Sequence, residues 1–226
     1  MTVITNIEDL RVLAQKRVPR MFYDYVDTGS WTEGTYRANE DDFQKIKFRQ
    51  RVAINMDNRT TRTQLVGQDV AMPVALAPVG STGMQWADGE ILAANAAGKF
   101  GVPFTLSTMS ICSIEDVAAN SPYPFWFQLY VMRDRAFIER LIERAKAAKC
   151  SALVLTLDLQ ILGQRHKDLK NGLSVPVKPT LASIANLLTK PHWCLGMAGT
   201  KRRQFGNIVA HVKGVDNMGS LSEWTS

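Results

Sequence analysis

Short apolar runs alternate with longer segments of helical periodicity from about residue 71 onward. The predicted strands cover residues 74–77, 104–107, 125–130 and 152–157, and the predicted helices cover about 88–99, the segment after 113, and 134–149. Strands that alternate with helices of this length are typical of βα units around a parallel sheet. The pattern therefore predicts an α/β fold in which about four βα units follow one another.

Polar residues indicate where several helices begin. Asn6 precedes a helix predicted over residues 7–16, and a second short helix is expected after Pro19. Ser113 and Asp116 have the spacing of a capping box, in which two side chains satisfy the first free N–H groups of a helix. Residues 30–70 are expected to form loops and short strands.

Residues that could contact a ligand follow each predicted strand at its carboxyl end. They are Pro78, Val79 and Gly80, then Ser107 and Thr108, then Gln128 and Tyr130, then Thr156 and Asp158. Each one alone has a structural explanation, such as capping a helix or satisfying a loop. Ligands of parallel sheets bind at the carboxyl ends of the strands, where these groups would converge. Together they predict a site for a flat heteroaromatic ligand.

The segment after the first predicted strand distinguishes two α/β architectures. A dinucleotide-binding Rossmann unit would place Gly-x-Gly-x-x-Gly there, whereas this chain has Pro78-Val79-Gly80. A TIM (β/α)8 barrel is therefore favoured, although such a barrel typically needs ~250 residues. We expect only about its first four βα units. The expected divisions are an N-terminal helical extension with entry strands, the first half-barrel, and a basic, mobile loop excursion, at 1–70, 71–163 and 164–226.

Composition narrows the class of protein. The 226 residues, 46% of them hydrophobic, suffice for one domain with an ordinary core. No signal-peptide segment stands near the N-terminus, and no apolar run reaches the ~18 residues that would cross a bilayer. A cytoplasmic protein is therefore expected. The three cysteines lack metal-ligand spacing and their number is odd, so free thiols and no metal site are predicted.

The net charge of +6 is confined to the second part of the chain. Residues 1–158 contain 18 basic and 18 acidic side chains, whereas residues 159–226 contain nine and three, together with all three histidines. No nucleic-acid-binding motif accompanies this basic tail. It therefore suits an anionic surface or ligand better than nucleic acid, and no nucleic-acid partner is expected.

The tail also contains a predicted helix over residues 181–190 with one apolar face. Trp193 and the basic run 201–203 follow it. An apolar face, an interfacial Trp and nearby cations suit a segment that lies on an anionic membrane, here residues 181–203. Docking of the helix on its own barrel explains the same pattern, and both interpretations stay open.

Six segments, taken in order, resemble the FMN-dependent α-hydroxy-acid dehydrogenase/oxidase family. They are residues 10–27, Ala77-Pro78, Leu106-Ser107-Thr108, Phe127-Gln128-Leu129-Tyr130, Leu155-Thr156-Leu157-Asp158 and Leu162-Gly163-Gln164-Arg165. Members of this family include L-lactate dehydrogenases, glycolate oxidases and mandelate dehydrogenases. The resemblance implies a TIM-barrel enzyme that uses FMN to oxidise a small L-2-hydroxy acid, with L-lactate as the favoured substrate.

The resemblance also implies roles for individual residues. Those implied to bind FMN are Pro78, Val79, Gly80, Ser107, Gln128 and Thr156. Tyr25 and Arg165 would hold the substrate carboxylate, and Tyr130 would lie over the reacting carbon. Asp158 would support a catalytic histidine. In some members the excursion after the fourth strand attaches the enzyme to the membrane, which implies a peripheral position on the inner membrane.

The family's catalytic histidine has no counterpart in this sequence. It belongs to a His-Gly-Gly-Arg segment that is absent here, and residues 1–158 contain no histidine. His166 is interpreted as a solvated loop residue. The resemblance therefore implies an N-terminal part of an enzyme, inactive alone, whose complete form is a homo-oligomer. The alternative is a non-catalytic half-barrel that self-associates or pairs with a separate C-terminal half.

Overall fold

The computed structural model describes residues 3–157, 163–173, 180–209, 211–212 and 215. The helices are α1 (Ile7–Arg17), α2 (Arg20–Val26), α3 (Gly34–Gln44), α4 (Thr82–Gln85), α5 (Gly89–Phe100), α6 (Ile114–Asn120), α7 (Arg135–Ala147), α8 (His166–Lys170), α9 (Leu181–Leu188) and α10 (Pro191–Gly199). The strands are β1 (Thr63–Leu65), β2 (Gln68–Val70), β3 (Thr105–Ser107), β4 (Trp126–Tyr130) and β5 (Ala152–Thr156). From β3 to β5 the elements alternate as the sequence predicts.

A parallel sheet in the order β3-β4-β5 forms the centre of the fold, and β1 and β2 form a separate antiparallel hairpin. Ser107 pairs with Gln128 across β3 and β4. Tyr130 pairs with Thr156 across β4 and β5. The carboxyl ends of the three strands therefore lie side by side.

The segment before β3 joins the sheet through a single residue. Leu76 forms a parallel bridge with Phe104. The strand predicted over 74–77 is therefore present only as this bridge. Pro73 and Pro78 flank the segment, and because neither has an N–H group, neither can extend a hydrogen-bonded ladder.

The hydrophobic core lies between the sheet and the helices on one of its faces. Leu106, Phe127 and Leu129 are at most 3% exposed. The apolar stripe predicted for α7 is present, because Phe137 and Leu141 are fully buried and α7 packs on β4. Burial of such side chains contributes about 1.5–3 kcal/mol each, so this face stabilises the part of the sheet that positions the strand ends.

β5 is covered less well than β4. Leu153 and Leu155 pair with Phe127 and Leu129, so they share the same face of the sheet. They are nevertheless 47% and 53% exposed. The apolar run of the fourth predicted strand leads one to expect a buried strand, and this expectation is wrong for this face, because α7 packs on β4 and leaves Leu153 and Leu155 exposed.

The N-terminal helices agree with the sequence prediction only in part. Asn6 and Asp9 form a reciprocal capping box at the start of α1. The prediction of loop for residues 30–70 is wrong where α3 lies. Its N-cap, Glu33, makes no side-chain capping bond, and no residue of α3 is buried, so the usual local signals are missing. A tertiary bond from the Tyr36 hydroxyl to Asp27, at 3.2 Å, attaches it instead.

Helices α9 and α10 pack against the N-terminal helices. The Trp193 ring stacks on Phe22 with ring centroids 5.4 Å apart, and its Nε1 donates to the Met84 carbonyl at 2.8 Å. The Lys190 ammonium donates to the Lys16 carbonyl at 2.6 Å. These contacts favour docking on the protein's own surface for Trp193 itself. The described part of the chain contains no helix with the length and apolar character needed to span a bilayer.

The end of the tail returns to the main core. Ile208 and Val215 are at most 1% exposed and belong to the same apolar cluster as Phe127. Pro176 and Pro179 predict an extended linker over residues 176–180. Residues 174–179 lie outside the described part of the chain. The three divisions of the chain given above stay a prediction.

Candidate functional site

Three of the predicted cofactor-binding side chains meet at the carboxyl ends of β3, β4 and β5. The Ser107 hydroxyl donates to Gln128 Oε1 at 3.1 Å, and Gln128 Nε2 donates to Thr156 Oγ1 at 2.5 Å. We call these three residues the rim. Ser107 is 3% exposed and Gln128 is 1% exposed. The rim is therefore a continuous polar row set into an apolar sheet.

Thr108 fixes the position of Gln128. Its hydroxyl donates to the Gln128 carbonyl at 2.6 Å, and its backbone N–H donates to Gln128 Oε1 at 3.2 Å. The amide oxygen thus accepts two hydrogen bonds, from Ser107 and Thr108, whereas the amide NH₂ carries two hydrogens and gives one to Thr156. The remaining N–H and the Thr156 hydroxyl hydrogen are donors suited to the carbonyl and nitrogen acceptors at the edge of a flavin.

The predicted flavin-facing loop lies beside the rim. The Ser81 N–H donates to the Met109 carbonyl at 2.9 Å. A Cβ added to Gly80 would lie 3.1 Å from the Tyr25 hydroxyl and 3.5 Å from Met109 Cβ. Gly80 is therefore a point of close approach where a side chain would crowd the site. Val79 is 45% exposed, so this loop presents an accessible apolar surface next to the rim.

Tyr25 and Arg165, the predicted carboxylate-binding pair, are in contact. The Arg165 guanidinium lies over the Tyr25 ring, 4.8 Å from its centroid, and donates to the Tyr25 carbonyl. Arg165 Nε also lies 2.6 Å from Asp168 Oδ2. Burial raises the pKa of Asp168, and the neighbouring Arg165 charge opposes this rise. The guanidinium is thus held as a flat, oriented cation over the Tyr25 ring.

Two predicted site residues remain, Tyr130 and Asp158. Tyr130 is half-buried and ends β4, directly beside Thr156 of the rim. Asp158 lies outside the described residues. The histidines lie elsewhere: His166, His192 and His211 are all exposed.

His166 contacts Trp31, edge to face, with ring centroids 5.7 Å apart. None of the hydrogen bonds found among the described residues joins a histidine side chain to the rim. The interpretation of His166 as a solvated residue agrees with its exposure.

Two buried polar residues near the rim carry no recognised motif. Glu90 accepts backbone hydrogen bonds from Gly83 of α4 and from Ile111 in the loop after β3, and Asn207 donates to the Ser107 carbonyl at 3.3 Å. Glu90 had a detectable signal in the sequence, because this charged residue directly precedes the run 91–97, in which Asn95 is the one polar residue. Asn207 had no such signal, because its hydrogen-bond partners lie 63 to 100 residues away in the sequence.

Comparison with known proteins decides the family. The sequence model described as FMN-dependent dehydrogenase matches residues 14–224. The chain belongs to this family. The predicted cofactor, FMN, and the predicted family are thereby confirmed.

The curated relatives of this FMN-dependent dehydrogenase chain include L-lactate dehydrogenases. The one from Stenotrophomonas maltophilia (strain R551-3) is 45% identical over 211 residues, which cover 92% of this chain and 55% of the relative. The one from Ectopseudomonas mendocina (strain ymp) is 44% identical over the same coverage. The chain thus spans about half the length of the curated relatives it matches.

Solved structures give the same family and confirm the fold. The monotopic membrane protein (S)-mandelate dehydrogenase superposes with a TM-score of 0.87 at 31% identity, over 97% of this chain and 59% of that one. A soluble mutant of the membrane-associated (S)-mandelate dehydrogenase from Pseudomonas putida gives 0.73 at 37% identity, over 80% and 52%. The predicted TIM-barrel architecture, of which this chain forms a part, is confirmed.

Proposed function

We propose that this chain provides the FMN and substrate contacts of an enzyme that oxidises a small L-2-hydroxy acid to the 2-oxo acid. L-Lactate is the proposed substrate, since the similar curated proteins are L-lactate dehydrogenases. One observation carries the proposal. The Arg165 guanidinium stacks on Tyr25, the Tyr25 hydroxyl lies close to Gly80, and the residue after Gly80 is joined through Met109 to Ser107 of the rim.

In this proposal the rim and the neighbouring loop hold the cofactor. Ser107, Gln128 and Thr156 hydrogen-bond the polar edge of the ring system, while Pro78, Val79 and Gly80 lie against its face. The second amide N–H of Gln128 can donate to the edge of the flavin ring system. The absence of a side chain at Gly80 leaves room for the face of the ring. FMN supplies the acceptor for the two electrons that leave the substrate.

Tyr25 and Arg165 hold the substrate carboxylate. A guanidinium presents a rigid planar fork of donors, which matches a carboxylate in two parallel hydrogen bonds. The closeness of the Tyr25 hydroxyl to Gly80, 3.1 Å from the position a Cβ would take there, supports an anion site beside the cofactor loop. Tyr130 then faces the reacting carbon and its oxygen, and Asp158 is the proposed support for a general base.

The general base is assigned to none of the three histidines of this sequence. His166, His192 and His211 are exposed, whereas a base must come within about 3 Å of the proton it removes. The purified chain, loaded with FMN, should therefore bind substrate without oxidising it.

Anaerobic mixing of the FMN-loaded chain with L-lactate tests both the carboxylate site and the absence of a general base among the histidines. We expect L-lactate to perturb the flavin absorption spectrum without bleaching it, and Arg165→Lys to remove the perturbation while FMN stays bound. Bleaching of the flavin above a buffer control would contradict the assignment of the base. An unchanged response in Arg165→Lys would contradict the assignment of the carboxylate site.

A membrane-facing position is proposed for α9. Leu181, Ile184 and Leu188 are 87%, 47% and 79% exposed on one side of this helix, and one structural relative is described as monotopic. The location proposed on this basis is peripheral, at the cytoplasmic surface of the inner membrane. Sedimentation with anionic vesicles should be lost in a variant with Leu181→Ser and Leu188→Ser; equal sedimentation of both proteins would rule out this role of α9.

A second candidate function is a non-catalytic half-barrel that associates through β5. The exposed side chains of Leu153 and Leu155 favour it, because apolar residues on the core face of a sheet are ordinarily covered.

A further inference from the structure

Glu90 is a buried carboxylate that the proposed reaction does not use. It lies in the first turn of α5 and is 1% exposed. Its Oε1 accepts the backbone N–H groups of Gly83 and Ile111, each at 2.9 Å, and its Oε2 lies 3.5 Å from the N–H group of Cys112. Burial, reinforced by this carboxylate, raises the pKa of the Cys112 thiol.

The charge of Glu90 is compensated by backbone groups rather than by a cation. None of the ion pairs between described residues includes Glu90. A buried carboxylate is costly unless its oxygens are hydrogen-bonded, and the N-terminal turn of a helix further favours negative charge. The two short bonds are therefore strong local restraints on the groups that donate them.

The two donors come from different parts of the chain. Gly83 is the second residue of α4, directly after the first loop, residues 78–81, which follows the Leu76 bridge. Ile111 lies in the second loop, residues 107–112, which begins at the last residue of β3. A Cβ added to Gly83 would lie 2.6 Å from Ile111 Cβ, so the start of α4 touches the second loop at the point where Glu90 bonds to both.

The first loop carries Gly80, and the second loop begins at Ser107 of the rim. Gly80 lies three residues before Gly83, and Ser107 lies four residues before Ile111. The Ser81–Met109 backbone bond, at 2.9 Å, joins the same loops between these positions. The spacing between Gly80 and Ser107 is therefore restrained at two successive points that follow them, by that bond and then by the Glu90 carboxylate.

We propose that Glu90 is a positioning residue of the flavin site, which holds the first loop against the second so that Gly80 and Ser107 contact the same ring system. The inference rests on the proposed function, in which both loops bind FMN. Removing the carboxylate leaves two buried N–H groups without an acceptor, and loops in that state move to reach water. A preorganised site that loses its support binds its ligand less tightly.

Two measurements on the full 226-residue chain test the proposal. Hydrogen–deuterium exchange of the FMN-free protein reports on the two loops, and quenching of FMN fluorescence reports on binding. Glu90→Ala should raise exchange in both loops together and weaken FMN binding about tenfold or more. Glu90→Gln, which keeps the Oε1 acceptor, should fall between Glu90→Ala and the unsubstituted chain.

Two further variants separate positioning from general destabilisation. Glu143→Gln breaks an exposed carboxylate contact with Lys146 on α7, and should leave the exchange of both loops and the FMN dissociation constant unchanged within about twofold. Gly83→Ala should reproduce the two-loop effect by steric displacement of Ile111. It serves as the test if Glu90→Ala does not fold.

The outcomes are distinct. A rise in exchange confined to one loop, or a Glu90→Ala protein that binds FMN as tightly as the unsubstituted chain, would overturn the proposal. Absence of FMN binding by the unsubstituted chain would instead contradict the proposed function. The exchange pattern would in that case still decide whether Glu90 couples the two loops.

Discussion

At the scale of single residues, the amide of Gln128 is the centre of the site. It joins Ser107, Thr108 and Thr156 and is almost fully buried. The position of this residue could be predicted from the sequence, because a polar residue in a buried strand requires a partner or a ligand. The roles of Thr108 and Glu90 could not, because their contacts depend on loops whose path the sequence pattern does not specify.

Substitution of Gln128 tests how far the rim also stabilises the fold. Gln128→Leu keeps the volume of the side chain but leaves the Thr108 N–H and the Ser107 hydroxyl without their acceptor. We expect the free energy of unfolding in urea to fall by about 1–3 kcal/mol. The matched control is Gln68→Leu, which removes the acceptor of Trp126 Nε1 at the opposite end of β4 and should cost about 1 kcal/mol. A smaller loss in Gln128→Leu than in the control would contradict this account.

At the scale of elements, helix starts could be predicted wherever the side chains themselves make the capping bonds. Asn6 and Ser113 both cap as predicted. α3 was not predictable in this way, because Tyr36 attaches it to Asp27 through a tertiary contact. The strand predicted at 74–77 is reduced to a bridge. Its pairing is limited by the prolines on either side and by the adjacent strand segment, not by its own composition.

The packing of α6 against α7 includes an ion pair that makes stability depend on pH. Arg144 donates to both oxygens of Glu115 at 2.7 Å, and these hydrogen bonds lower the pKa of Glu115 from its ordinary 4.5 to about 2. The folded state therefore gains stability from this carboxylate above about pH 4.5. That gain is lost as the pH falls toward 2.

Unfolding in urea between pH 5 and about pH 2 measures this contribution. The free energy of unfolding should fall more steeply with decreasing pH in the unsubstituted chain than in Glu115→Gln. Because Glu115 is more than half exposed, screening by solvent keeps the difference small. Parallel pH profiles for the two proteins would show that the pair does not couple stability to protonation.

At the scale of the whole molecule, the βα alternation was enough to predict the barrel class, but burial was not predictable strand by strand. Whether Leu153 and Leu155 are covered depends on which elements pack over β5, and the strand's own apolar pattern is the same in either case. The tail shows the same limit of prediction from sequence. Its helix was predictable from its period, whereas the contacts of Trp193 with Phe22 and Met84 arise only in the folded chain.

The exposed face of β5 predicts self-association. Sedimentation velocity should show oligomers of the unsubstituted chain that a variant with Leu153→Ser and Leu155→Ser no longer forms. A suitable control is Leu169→Ser, which changes a leucine that is 59% exposed on α8, away from the sheet. A monomer at all concentrations of the unsubstituted chain would remove the support for the half-barrel alternative.

Binding of FMN at the rim can be measured by a fluorescence titration of the chain with FMN. The unsubstituted chain and Gln68→Leu should quench FMN fluorescence with similar dissociation constants, whereas Gln128→Leu should bind about tenfold or more weakly. Equal affinity of Gln128→Leu and Gln68→Leu for FMN would show that the rim is not the cofactor site.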